Sequence, residues 1–169
     1  MAESYFRKAV ETLTERNPNP YDGEPYYNLG WSCMMQQKWD EAYDAFFKSA
    51  WNAAWQDAAY YALAQLDTRK GKYESALDKI DRSLIRNWHN HKARQLKTSI
   101  LRKLGRKEEA LALVAESLQI DRFNMGCRFE HYLLTRDVEV LEEMKKLMRS
   151  WAHGYIEYAL DFAAAGLYE

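Results

Sequence analysis

The side chains best suited to chemistry are two cysteines, Cys33 and Cys127, and four histidines, His89, His91, His131 and His153. A thiolate can attack or bind metal, and an imidazole can move a proton or ligate. Neither use is supported by the spacing. The cysteines lie 94 residues apart with no CxxC, so the expectation is two reduced thiols packed as small hydrophobes. "WHNH" sets His89 and His91 two apart at a turn between helices, with no further ligand nearby. His131 and His153 stand alone, and all four histidines read as solvated. No phosphate-binding glycine loop, dinucleotide fingerprint or HExxH occurs. No set of acid, base, nucleophile and oxyanion donors can be assembled, so no catalytic residue, metal or cofactor is expected.

The elements that would hold these residues are helices. The 169 residues are 47% hydrophobic and 29% charged, as in a folded chain. The net charge of −1 gives nucleic acid and anionic membranes nothing to grip. No apolar run approaches the roughly 20 residues a membrane helix requires. "MAESYFRKAV" lacks the layout of a signal peptide, so a cytoplasmic location is the expectation. All three prolines, Pro18, Pro20 and Pro25, precede residue 26, which leaves the remainder free to form unbroken helices. Alternating strand patterns bounded by hairpin turns are missing.

"YYNLGWSCMMQQKWDEA" at 26–42 returns as "YYALAQLDTRKGKYESA" at 60–76. Leu29 to Leu63, Ala42 to Ala76, Ala76 to Ala110 and Gly71 to Gly105 are each 34 residues apart. A helical period of 34 resembles the tetratricopeptide repeat, whose pattern is W-x2-L-G-x2-Y followed by A-x3-F. It falls on Tyr26, Leu29, Gly30, Cys33, Ala42 and Phe46 in the first unit and on Tyr60, Leu63, Ala64, Asp67, Ala76 and Ile80 in the second. In the third it survives mainly in "LGRKEEALAL". Small residues let antiparallel helices approach, larger ones fill between them, and stacked pairs bury what one pair cannot. The expected fold is therefore all-α, a right-handed tetratricopeptide-type α-solenoid of antiparallel helix pairs. An orphan helix at 2–16 precedes repeats at about 23–56, 57–90 and 91–124. A degenerate repeat at about 125–150 and an orphan helix at 152–165 follow.

"RNPNPYDGEPYYNLG", "SAWNAAWQDAAYYALAQLD" and "YIEYALDFAAAGLYE" also resemble the C-terminal tail of a family of large bacterial proteins. There, a β-rich, sugar-enzyme-like N-terminal region precedes the repeats. The resemblance implies a fragment of a longer, carbohydrate-related protein and brings no catalytic residue with it.

First helices line the concave face of such a superhelix. The positions facing it are Tyr27, Trp31, Met34, Tyr61, Gln65, Arg69, Gln95, Ser99, Arg102 and Lys103, aromatic early and basic late. These are the expected partner-binding residues, for a protein or peptide of acidic and apolar character or for the chain's own N-terminal region. Chaperone-tail binders of this repeat family carry a lysine–asparagine and lysine–arginine clamp. Tyr27, Trp31, Gln65, Gln95 and Ser99 stand in its place, which disfavours that ligand. The alternative is a structural module that orients the rest of a larger protein. Two further expectations follow. Asp67 should pair with Arg94 or Lys97, one repeat on. The stripe Tyr155, Tyr158, Ala159 and Phe162 on the final helix, 154–165, should be met by another surface, either by folding back or through weak self-association.

Overall fold

A computed structural model describes residues 2–149 and 151–168. Among them are ten helices and no strand: α1 Ala2–Thr14, α2 Glu24–Met35, α3 Trp39–Ser49, α4 Gln56–Arg69, α5 Tyr73–Arg86, α6 His91–Lys103, α7 Lys107–Ile120, α8 Met125–Thr135, α9 Val138–Met148 and α10 Ala152–Ala164. Helices α2/α3, α4/α5, α6/α7 and α8/α9 pair antiparallel, and each pair stacks on the next. The result is the all-α solenoid expected from the period.

Helix α3 stops at Ser49, and residues 50–55 separate it from the start of α4 at Gln56. The Asn52 side chain explains the stop. It accepts from Ala54 N at 2.8 Å and donates to the Tyr21 carbonyl, which ties residues 50–55 to the segment before α2. Gly23 lies in this contact, where a Cβ would come within 2.9 Å of both Asn52 and the Ser49 carbonyl. Trp31, Trp39 and Trp55 are half-buried, whereas Tyr21 and Trp51 are exposed.

The first helices end alike. Lys38 N, Lys72 N and Arg106 N bond back to the carbonyls of Cys33, Asp67 and Leu101 at 3.0, 2.8 and 2.9 Å. This bond requires a left-handed residue just before the donor. Gly71 (φ 71°) and Gly105 (φ 73°) supply it, but the same slot in the first unit holds Gln37 at φ 60°. A side chain there is strained.

Asp67 does not pair with Arg94 or Lys97. It is buried against its own repeat's second helix, accepting from Lys79 Nζ at 2.5 Å and Ser75 Oγ at 2.8 Å. Hydrogen bonds to Asp67 and Tyr43 raise the Lys79 pKa against the opposing pull of burial. Lys97 reaches Asp81 at 2.6 Å and Arg94 reaches Glu116 at 2.5 Å. The period puts Asp67 in the slot of Cys33 and Leu101, whereas Arg94 and Lys97 fall in the slots of Tyr60 and Leu63, and each of the three meets a second helix rather than one of the others.

Gln37→Gly should stabilise the protein by about 0.5–1 kcal/mol, because glycine accepts the left-handed turn without a Cβ clash. Gly105→Ala should cost about 1 kcal/mol, although a Cβ there would meet nothing within 4 Å. Urea denaturation measures both, and equal effects of opposite sign would confirm a purely backbone origin.

Candidate interaction surface

The inner face is built from α2, α4, α6 and α8. At its early end Tyr27 and Trp31 are half-buried around Phe46, with ring centroids at 5.6 and 5.8 Å. Trp55 lies against Tyr27 at 4.8 Å. Met34 is buried beneath them. In the middle, burial raises the Tyr61 pKa, and its hydroxyl accepts from Gln65 Nε2 at 3.1 Å. Gln65 is 2% exposed, and its Oε1 has no hydrogen-bond partner.

The late end is spent on holding α8. Glu130 is fully buried and accepts from Ser99 Oγ and Arg102 Nε, both at 2.6 Å. The Arg102 charge is therefore neutralised where the sequence suggested a basic groove. Gln95 is buried against Gly126, where a Cβ would fall 1.9 Å from its Oε1. Lys103 is exposed. Of the ten positions singled out, Met34, Gln65, Gln95 and Ser99 serve helix packing, and Tyr27, Trp31, Tyr61, Arg69, Arg102 and Lys103 retain surface.

The inner face also holds a helix. Helix α10 folds back across it, and its backbone packs mainly against α4. Arg69 lies over the Trp39 ring at 4.2 Å and donates from Nη1 to the Ala163 carbonyl at 2.9 Å. Lys92 at the start of α6 meets Asp161 at 2.9 Å. Phe162 sits edge-on to Phe129 of α8, with centroids at 5.7 Å. Ala165 and Leu167 are buried in the core formed by α4–α7. Folding back thus covers part of the stripe on the last helix: Tyr158 and Phe162 are half-buried, whereas Tyr155 and Ala159 stay exposed.

Lys92 and Phe129 were missed in the sequence. Phe129 was findable, since it continues the column Tyr27, Tyr61, Gln95 at 34-residue steps. Lys92 carried no such signal; its role depends on where α10 lands.

The chemical candidates are otherwise engaged. Burial pushes the Cys127 thiol up to about 11 and raises Cys33 as well, so neither is a ready thiolate. Ligand atoms of Glu3, Cys33 and Glu41 lie within 4.8 Å of one another. Their charge is already met by Lys38 and Arg7, whose hydrogen bonds hold Glu3 at about 2. No helix among the described residues is long and apolar enough to cross a membrane.

No known family's sequence profile matches the chain. Solved structures do match in fold. YrrB, described as a TPR protein with an unusual peptide-binding site, aligns with TM-score 0.67 at 19% identity over 97% of this chain and 85% of that one. MamA aligns with TM-score 0.66 at 17% identity over 92% and 88%. MamA from residue 41 onward, from Desulfovibrio magneticus RS-1, aligns with TM-score 0.66 at 14% identity over 89% and 97%. At these identities the likeness is one of fold, the tetratricopeptide-type solenoid.

Arg102→Ala should cost about 3–5 kcal/mol, because it strands the buried Glu130 carboxylate. Arg102→Met combined with Glu130→Leu should recover most of that loss. A denaturation cycle in which the double variant is as unstable as the single one would show that packing, not charge, is what Arg102 provides.

Proposed function

We propose that the chain is a protein-interaction module that works through its inner face and is not an enzyme. The observation that carries this is the seating of a helix across α4, α6 and α8 by a stacked arginine, an ion pair and an aromatic edge. A surface with that combination takes a peptide or a neighbouring domain with apolar and acidic character. The peptide-binding site ascribed to YrrB, a protein of the same fold, supports a peptide as partner.

A second reading has its own observation. The occupant is the chain's own α10, and Ala165 and Leu167 are as buried as core residues, at 0% and 6% exposure. This favours a structural module that fixes α10, and whatever adjoins it in a larger protein, in place. The resemblance to the tail of large bacterial proteins fits such a role.

One experiment separates the two. Peptides selected from a random library on the chain should lose affinity with Arg69→Glu or Lys92→Glu and weaken as salt rises. Arg102 is unsuited to this test because it holds the buried Glu130. Leu167→Asp should loosen α10 and raise peptide affinity while the repeats keep their unfolding midpoint. A large fall in the midpoint with no gain in binding would establish the structural reading instead.

A further inference from the structure

Helix α10 has the ending of a first helix but not the position of one. Gly166 at φ 72° and the bond from Leu167 N to Phe162 O at 2.9 Å repeat the ends of α2, α4 and α6. Aligned on that cap, Tyr155, Tyr158, Ala159 and Phe162 take the slots of Tyr26, Leu29, Gly30 and Cys33. Yet α4, α6 and α8 each pack on the second helix before them, whereas the backbone of α10 packs mainly against α4 and not α9.

Between α8, α9 and α10, on the side where a regular first helix would stack, lies an apolar cleft of about 610 Å³. Met125, Phe129, Leu141, Met144 and Met148 form its floor and far wall. The near wall is α10 itself, through Tyr158 and Phe162. Methionine walls adapt readily to an incoming apolar surface. Meanwhile Ile156 and Leu160, which hold the slots of Tyr27 and Trp31, are 54% and 63% exposed. On α4, which α10 packs against, Gln65 keeps a buried acceptor unsatisfied, a cost that a donor from a better-fitted occupant would remove. The observed position therefore leaves apolar and polar demands unmet on both sides of α10.

Resting on the interaction-module reading, we propose that the inner face is the docking site for a partner helix with α10's own signature. That signature is a carboxylate for Lys92, an adjoining phenylalanine for Phe129, small residues under Arg69, and a glycine-capped end followed by leucine. When the partner docks, α10 leaves the inner face and stacks on α8 and α9 as the first helix of a fifth repeat, closing the cleft. The tethered helix is thus a placeholder that a partner must outcompete.

The probe is a synthetic peptide of residues 152–168, in native form and with Asp161→Lys, tested against the whole chain and its Lys92→Glu variant. Lys92 is an exposed side chain, so the variant leaves the core intact. The native peptide should bind the native chain at least tenfold more tightly than the reversed peptide does, and this order should invert on Lys92→Glu. Spin labels at Tyr168→Cys and Lys72→Cys report the second part, because Cys33 and Cys127 are buried and escape labelling. Their separation should lengthen when the matched peptide binds.

Equal affinities for both peptides, or an unchanged label distance at saturation, would overturn the proposal. If neither peptide binds while library-selected peptides still depend on Arg69 and Lys92, the signature is wrong and the interaction-module reading survives. A peptide-free dimer broken by Asp161→Lys would assign the face to α10 of a second copy, which also overturns a separate partner.

Discussion

How closely two helices can approach governs the whole molecule. Gly30 lies against the ring of Phe46, where a Cβ would come within 2.7 Å, so α2 and α3 meet only because that side chain is missing. Ala42, Ala64, Ala76 and Ala110 are fully buried in the corresponding small-residue slots of α2–α7. Gly126 does the same work between α6 and α8 by admitting Gln95. Close approach turns each pair into a platform for the next, and no single pair carries a core of its own.

Polar side chains then fix which helix meets which. Asp67 with Lys79, Arg94 with Glu116 and Ser117, and Glu130 with Arg102 and Ser99 each join a first helix to a neighbour through buried or half-buried groups. Desolvation offsets much of the attraction in such pairs, so their effect is mainly on register. The same bonds consume the charge that a groove would otherwise present. Arg69 and Lys92 differ from Arg102 in this respect, because what they hold is α10, through a backbone carbonyl and through Asp161.

Much of this was legible in the residues. The 34-residue period, the left-handed glycines and the absence of proline after residue 25 specify helices, pairs and stacking before any coordinate is known. The stripe on the last helix also marked where cover is needed, although only Tyr158 and Phe162 of it are half-buried. Pairing was less legible, because a repeat register gives the slot of Asp67 but not the direction in which its side chain leaves the helix. The groove's chemistry was misleading for a related reason. Column position marks Ser99 and Arg102 as inward-facing, yet a buried glutamate one repeat on turns them into packing residues. Lys92 gained its ion pair only through the placement of a helix 69 residues away in sequence.

The central claim is that α10 lies across the inner face in solution. Zero-length carbodiimide coupling tests it directly, because the reagent joins an amine and a carboxylate only when they touch. The account predicts a Lys92–Asp161 crosslink, formed alongside that of the Lys70–Asp40 pair, 2.6 Å apart between the first two repeats. A digest that contains the Lys70–Asp40 crosslink but no Lys92–Asp161 crosslink would contradict the account.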